Sequence, residues 1–241
     1  MLKKLIVSAL AAGFGAGLIL AVLQITLLSP LILDAENYES GRKFHFAGII
    51  KEIVPDHNDG HSAMAHATQA APVSTESWVS RSARTALSTT LTAMGYAFVL
   101  VSGFGLAARG GIKITARSGI LWGLAGFAAV ILAPSLGLPP ELPASAAAPL
   151  HARQLWWMGT VIASMAGIAA IAFGKNWAVW GVGIALLALP HIIGAPHPAA
   201  FGGVVPPEMQ GEFVGLSIGV SAIGWAMLGL IGGYAWAKQP E

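Results

Sequence analysis

Six long stretches without a single Asp, Glu, Lys or Arg dominate this sequence: Leu5 to Leu33, Thr85 to Ala108, Ser118 to Pro140, Gln154 to Gly174, Asn176 to Pro207 and Phe213 to Ala237. A helix crosses the hydrocarbon layer with about 20 apolar residues, so each stretch holds one crossing. The expected spans are about 5–29, 84–107, 117–137, 153–173, 176–193 and 212–236. A charged fraction of 10% beside 55% hydrophobic residues points the same way, because soluble domains carry about 25% charge. The reading is an all-α integral membrane bundle of about six helices, one polytopic domain over 1–241, with a long extracytoplasmic loop at 34–83.

Lys3 and Lys4 ahead of the first apolar run resemble the start of a secretory signal. That run far exceeds the roughly 7 to 15 residues of a signal core, which predicts a retained anchor helix in a bacterial inner membrane. The chain has no cysteine, which excludes disulfides, thiolate metal sites and thiol nucleophiles. No Gly-x-x-x-x-Gly-Lys-Ser/Thr or His-Glu-x-x-His pattern occurs, so neither ATP hydrolysis nor a zinc-dependent enzyme is indicated. The bilayer is the evident partner, and nothing indicates nucleic acid. Homo-oligomerisation stays open.

Orientation follows from basic residues near span ends. With the N terminus inside, Lys3, Lys4, Arg109, Lys113, Arg117, Lys175 and Lys238 lie on the cytoplasmic side against one acid, Glu241. The topology is then N-in and C-in. It places all seven histidines and the other ten carboxylates outside. Imidazole and carboxylate gathered on one face make a capture surface for a divalent cation. Glycines four apart, at Gly119 and Gly123, Gly215 and Gly219, and Gly229 and Gly233, are expected to be close helix contacts.

The densest ligand cluster is Asp56, His57, Asp59, His61, Met64 and His66. His57 and His61 share a face if the segment is helical, which suits nickel, cobalt, zinc or copper. The bland alternative is a solvated tract that binds metal incidentally. A second candidate is the stretch from Pro190 to Pro198, where three prolines are expected to end the fifth helix and free carbonyls beside His191 and His197. At the rim, Glu36 and Glu39 leave the first span while Arg153 and Gln154 open the fourth. Arg153 is also a candidate partner for a rim carboxylate. Gln24 is the amide deepest in a span, either bonding between helices or lining a path. Pro139-Pro140-Glu141 and Pro206-Pro207-Glu208 hint at a duplicated hairpin.

Gln24, Pro30, Ala35-Glu36-Asn37-Tyr38-Glu39, Pro139-Pro140-Glu141-Leu142-Pro143, Arg153-Gln154-Leu155-Trp156-Trp157 and Pro196-His197-Pro198, in this order, resemble the CbtA-type cobalt transporter subunits over nearly the whole chain. The Arg-Gln-x-Trp-Trp block after a Pro-Pro-Glu-x-Pro loop is the most specific part. The resemblance implies a component of cobalt uptake linked to cobalamin synthesis, working with a small single-span CbtB-like subunit. It implies cobalt as substrate, with no tightly bound cofactor. Two function classes follow: a carrier or channel for the ion, or an accessory or sensing protein that binds metal on its outer face and moves nothing.

Overall fold

A computed structural model describes residues 1–45, 77–200 and 202–239. Among the described residues there are six extended helical segments and no strands. They are α1 (Leu2–Glu39), α2 (Trp78–Arg109), α3 (Ala116–Ser135), α4 (Leu150–Phe173), α5 (Trp177–Ile193) and α6 (Pro207–Lys238). All but α5 are long and apolar enough to cross a membrane. At 1.5 Å per residue α5 reaches only about 26 Å, short of the roughly 30 Å hydrocarbon core.

The helices alternate in direction, as contacts at each end show. At one end Glu36 of α1 pairs with Arg81 of α2, and Trp156 of α4 donates to the carbonyl of Pro190 on α5. At the other, Lys4 sits 5.0 Å over the Trp236 ring of α6, and Gly119 of α3 meets Gly233 of α6. One end therefore carries Lys3, Lys4, Arg109, Lys113, Arg117, Lys175 and Lys238, and the other the described carboxylates and histidines. The protein is a multi-pass membrane protein with a basic end and an acidic end.

Small residues decide which helices mate. α1 lies between α2 and α6, and α6 lies between α1 and α3. Ala9, Ala12 and Ala16 of α1 are wholly buried, as is Ala97 of α2. A Cβ on Gly13 would fall 2.5 Å from the Met94 Cα, and one on Gly17 2.8 Å from the Thr90 Cα. On the other side of the core, a Cβ on Gly229 would fall 2.1 Å from the Gly119 carbonyl oxygen. Glycine there lets two backbones touch, which matters in lipid because no hydrophobic effect drives helices together. Phe104 plugs the centre, edge-on to Trp122 and Trp236 with ring centroids 5.7 and 6.3 Å away. Among the described residues α5 packs chiefly on α4, joined by a tight turn in which Asn176 caps Val179 and Trp180 bonds to the Gly174 carbonyl.

Three expectations are corrected. The first helix does not stop near 29 but runs to Glu39, so Asp34, Glu36 and Glu39 are helical and the loop after it begins later than 34. It passes Pro30 by widening into a π turn at Gln24–Leu28 and restarting with Pro30 in the first turn, where a missing N–H costs nothing. The Ser29 hydroxyl donates to the Gln24 carbonyl at 3.1 Å. α3 repeats the device: a π turn at Ala128–Leu132 precedes Pro134, and Ser135 donates to the Ile131 carbonyl at 2.7 Å. Likewise the prolines from 190 on do not break the fifth helix early: α5 passes Pro190, ends at Ile193 as its expected span did, and stops at Gly194, whose φ of +85° suits glycine. Finally, a Cβ on Gly215 or Gly219 would meet nothing within 4 Å, so that pair is no seam within the described bundle.

Candidate functional site

At the acidic end the loops after α3 and α5 are tied together. Ser145 bridges to Gly203, and the Ala146 amide donates to the Gly202 carbonyl at 3.0 Å. Gln210 on the first turn of α6 reaches across, donating to the Pro140 carbonyl at 2.8 Å and accepting from the Leu142 amide at 3.0 Å. The two Pro-Pro-Glu segments thus flank one joint, since Gln210 follows Pro206-Pro207-Glu208 closely. Ala144 takes a left-handed φ of 62°, a conformation uncommon outside glycine.

Below this joint lies a cavity of about 420 Å³. Its rim is Glu141, Arg153 and Gln154 with Ser135 at the end of α3, and Trp157, Val130 and Ser221 line it farther in. Arg153 donates to a Glu141 carboxylate oxygen at 2.9 Å, both side chains roughly a quarter exposed. The π turn of α3 supplies Val130 and Ile131 to the wall, so the widening forced by Pro134 shapes the cavity. The rise of an α-helix places Ser221 about 21 Å along α6 from Pro207. The Ser217 hydroxyl, one turn nearer the rim on the same face, is buried without a hydrogen-bond partner. The site offers oxygen donors and one carboxylate already neutralised by a cation.

The other candidate residues are spread along the same end. Asp56, Asp59, His57, His61 and His66 lie outside the described residues. His191 occupies the last turn of α5, half-buried and edge-on to the Trp156 ring at 6.0 Å. The Pro190 carbonyl expected to be freed accepts from Trp156 at 3.1 Å and from the Gly194 amide at 3.1 Å. His197 is exposed in the following loop. Glu36 is held by Arg81, with one contact at 3.1 Å, and Glu39 is exposed nearby. Lys43 pairs with Asp34, and that hydrogen bond holds the ammonium above its ordinary pKa. Gln24 sits half-buried at the start of the α1 π turn. Among the described residues no three His, Asp or Glu side chains converge as a metal site.

Glu141, Ser135, Gln210 and Ser221 were not singled out by sequence as site residues. Glu141 and Gln210 each follow a Pro-Pro motif closely, which was the available signal.

No curated protein and no solved structure matches this chain. A family model described as "Probable cobalt transporter subunit (CbtA)" matches residues 2–237. That match spans all six helices, both joined loops and the cavity beneath them. The chain belongs to the CbtA family of cobalt transporter subunits.

Proposed function

We propose that the protein is a membrane subunit admitting a divalent transition-metal ion, cobalt, from the outer face of a bacterial inner membrane, for cobalamin synthesis. The observation that carries this reading is the cavity that begins at the Glu141–Arg153 pair and descends between α3, α4 and α6 to Ser221. The acidic end faces outward because the basic cluster at the opposite end obeys the positive-inside preference.

His57, His61 and His66 with Asp56 and Asp59 collect metal. Glu36, Glu39, His191 and His197 then offer it to the rim, where Gln154 stands beside Glu141. In this reading Arg153 acts as a resident cation that the incoming ion displaces from Glu141. Carboxylate, hydroxyl and carbonyl oxygens bind weakly enough to release an ion, which conduction requires. A membrane potential draws a divalent cation inward by about 4.6 kcal/mol per 100 mV, twice the single-charge value. The drive therefore needs no nucleotide site. A small single-span CbtB-like subunit completes the assembly.

A second reading has its own support. Beyond Ser221, Trp225 of α6 packs against Tyr96 of α2 with ring centroids 5.0 Å apart, and among the described residues no Asp, Glu, Lys, Arg or His lies between there and the basic end. An accessory protein that binds metal and moves none needs nothing more. Cobalt uptake into proteoliposomes, with and without the partner, separates the two. Variants are Glu141→Gln, His191→Ala with His197→Ala, and the alanine triple variant of His57, His61 and His66. Uptake lost in Glu141→Gln supports the transporter; stoichiometric binding with no uptake in any arm contradicts it.

A further inference from the structure

A second, larger cavity of about 720 Å³ opens toward the basic end, between α2, α3 and α4. Its walls are apolar, with Leu106, Leu121 and Phe173 all exposed. Along α2 it runs from Val99 to Gly110, a rise of about 16 Å. That is about one leaflet of a roughly 30 Å hydrocarbon core, too short for a spanning helix and matched to one acyl chain.

The mouth is basic. On α2, Arg109 follows Gly103 and Leu106 at helical spacing, so it caps the face that lines the cleft. On α3, Arg117 lies one turn before Leu121 and Ala125 on the lining face. Lys113 sits between them in the connecting loop, next to Ile112, which lines the cleft. All three are exposed, and none makes an ion pair among the described residues. The terminal carbonyls of α2 are already occupied, Leu106 and Ala107 by the Gly110 amide, Ala107 also by Ile112, and Ala108 by Gly111. The α3 N terminus adds its positive end beside them.

We propose that this cleft is a binding site for an anionic phospholipid, one acyl chain in the cleft and the phosphate on Arg109, Lys113 and Arg117. Basic pockets between helices at this membrane level recognise such headgroups. The site lies at the opposite end from the proposed metal entry and does not depend on it.

The test uses lipids brominated on the acyl chain and the full-length protein in mixed micelles. Trp122 lines the cleft, so quenching lost in Trp122→Phe reports its occupancy. Brominated phosphatidylglycerol should quench this signal at about tenfold lower mole fraction than brominated phosphatidylcholine. Neutralising the mouth with Arg109→Gln, Lys113→Gln and Arg117→Gln should erase the preference. Ala169→Phe, which fills the cleft from α4 without touching a charge, should weaken quenching by phosphatidylglycerol while leaving the fold intact by circular dichroism. Equal quenching by both lipids in the unmodified protein would overturn the proposal. So would quenching by phosphatidylglycerol undiminished in Ala169→Phe, or competition by glycerophosphoglycerol, which lacks chains, as strong as by the whole lipid.

Discussion

The same substitution at two glycines of α6 should have opposite consequences. A Cβ on Gly229 would stand 2.1 Å from the Gly119 carbonyl oxygen and 3.0 Å from the Gly123 Cα, both backbone atoms of α3. No rotamer relieves such a clash, so α3 and α6 must part. Overpacking of this kind costs about 1–3 kcal/mol, and separation also weakens Cα–H···O contacts worth about 0.5–1 kcal/mol each. The better helix propensity of alanine offsets at most about 1 kcal/mol. Gly229→Ala should therefore destabilise by about 1–3 kcal/mol net. A Cβ on Gly215 meets nothing within 4 Å, so Gly215→Ala should be neutral or stabilise by up to about 1 kcal/mol. Thermal unfolding of detergent-solubilised protein, followed by the loss of the monodisperse chromatographic peak, reads both. Equal shifts in the two variants would refute the claim that backbone contact between α3 and α6 holds the core.

Gln210→Ala removes the two hydrogen bonds that join the acidic-end loops; a loss of about 1–3 kcal/mol should appear as faster proteolysis within 138–149. Trp156→Phe leaves the Pro190 carbonyl without its 3.1 Å indole partner. That should cost about 1 kcal/mol and speed amide exchange at the end of α5, with α1 and α6 unaffected. Ala144→Gly relieves the left-handed residue and should raise the unfolding temperature, by about 1 kcal/mol of strain removed; a drop would mean that the loop geometry is not strained.

Much of the bundle was legible because membrane thickness converts directly into sequence length: the charge-free gaps mark each of the six described helices, and the shortness of α5 was visible in its expected 176–193. What spacing cannot tell is which face meets which. Gly119, Gly123, Gly229 and Gly233 form a seam, whereas Gly215 and Gly219 carry the same spacing and touch nothing. Proline breaks neither α1 nor α5, because at Pro30 and Pro190 a π turn, a serine hydroxyl or a neighbouring indole restores what the ring removes. Arg153 was expected to pair with a rim carboxylate leaving the first span, but Arg81 holds Glu36 and Arg153 takes Glu141 instead, because the loop after α3 folds back over α4. Ser221 escaped notice because one hydroxyl in an apolar helix looks like any other until the α3 π turn opens a space opposite it.

The central claim is that cobalt crosses through the cavity beneath Glu141. Ser221→Leu places a branched apolar side chain in its depth without disturbing the Glu141–Arg153 rim. Radioactive cobalt flux into proteoliposomes holding an inside-negative potential, with the partner subunit present, is the direct measurement. The account predicts potential-driven flux in the unmodified protein, abolished in Ser221→Leu with equilibrium cobalt binding retained. Undiminished flux through the plugged cavity would contradict it.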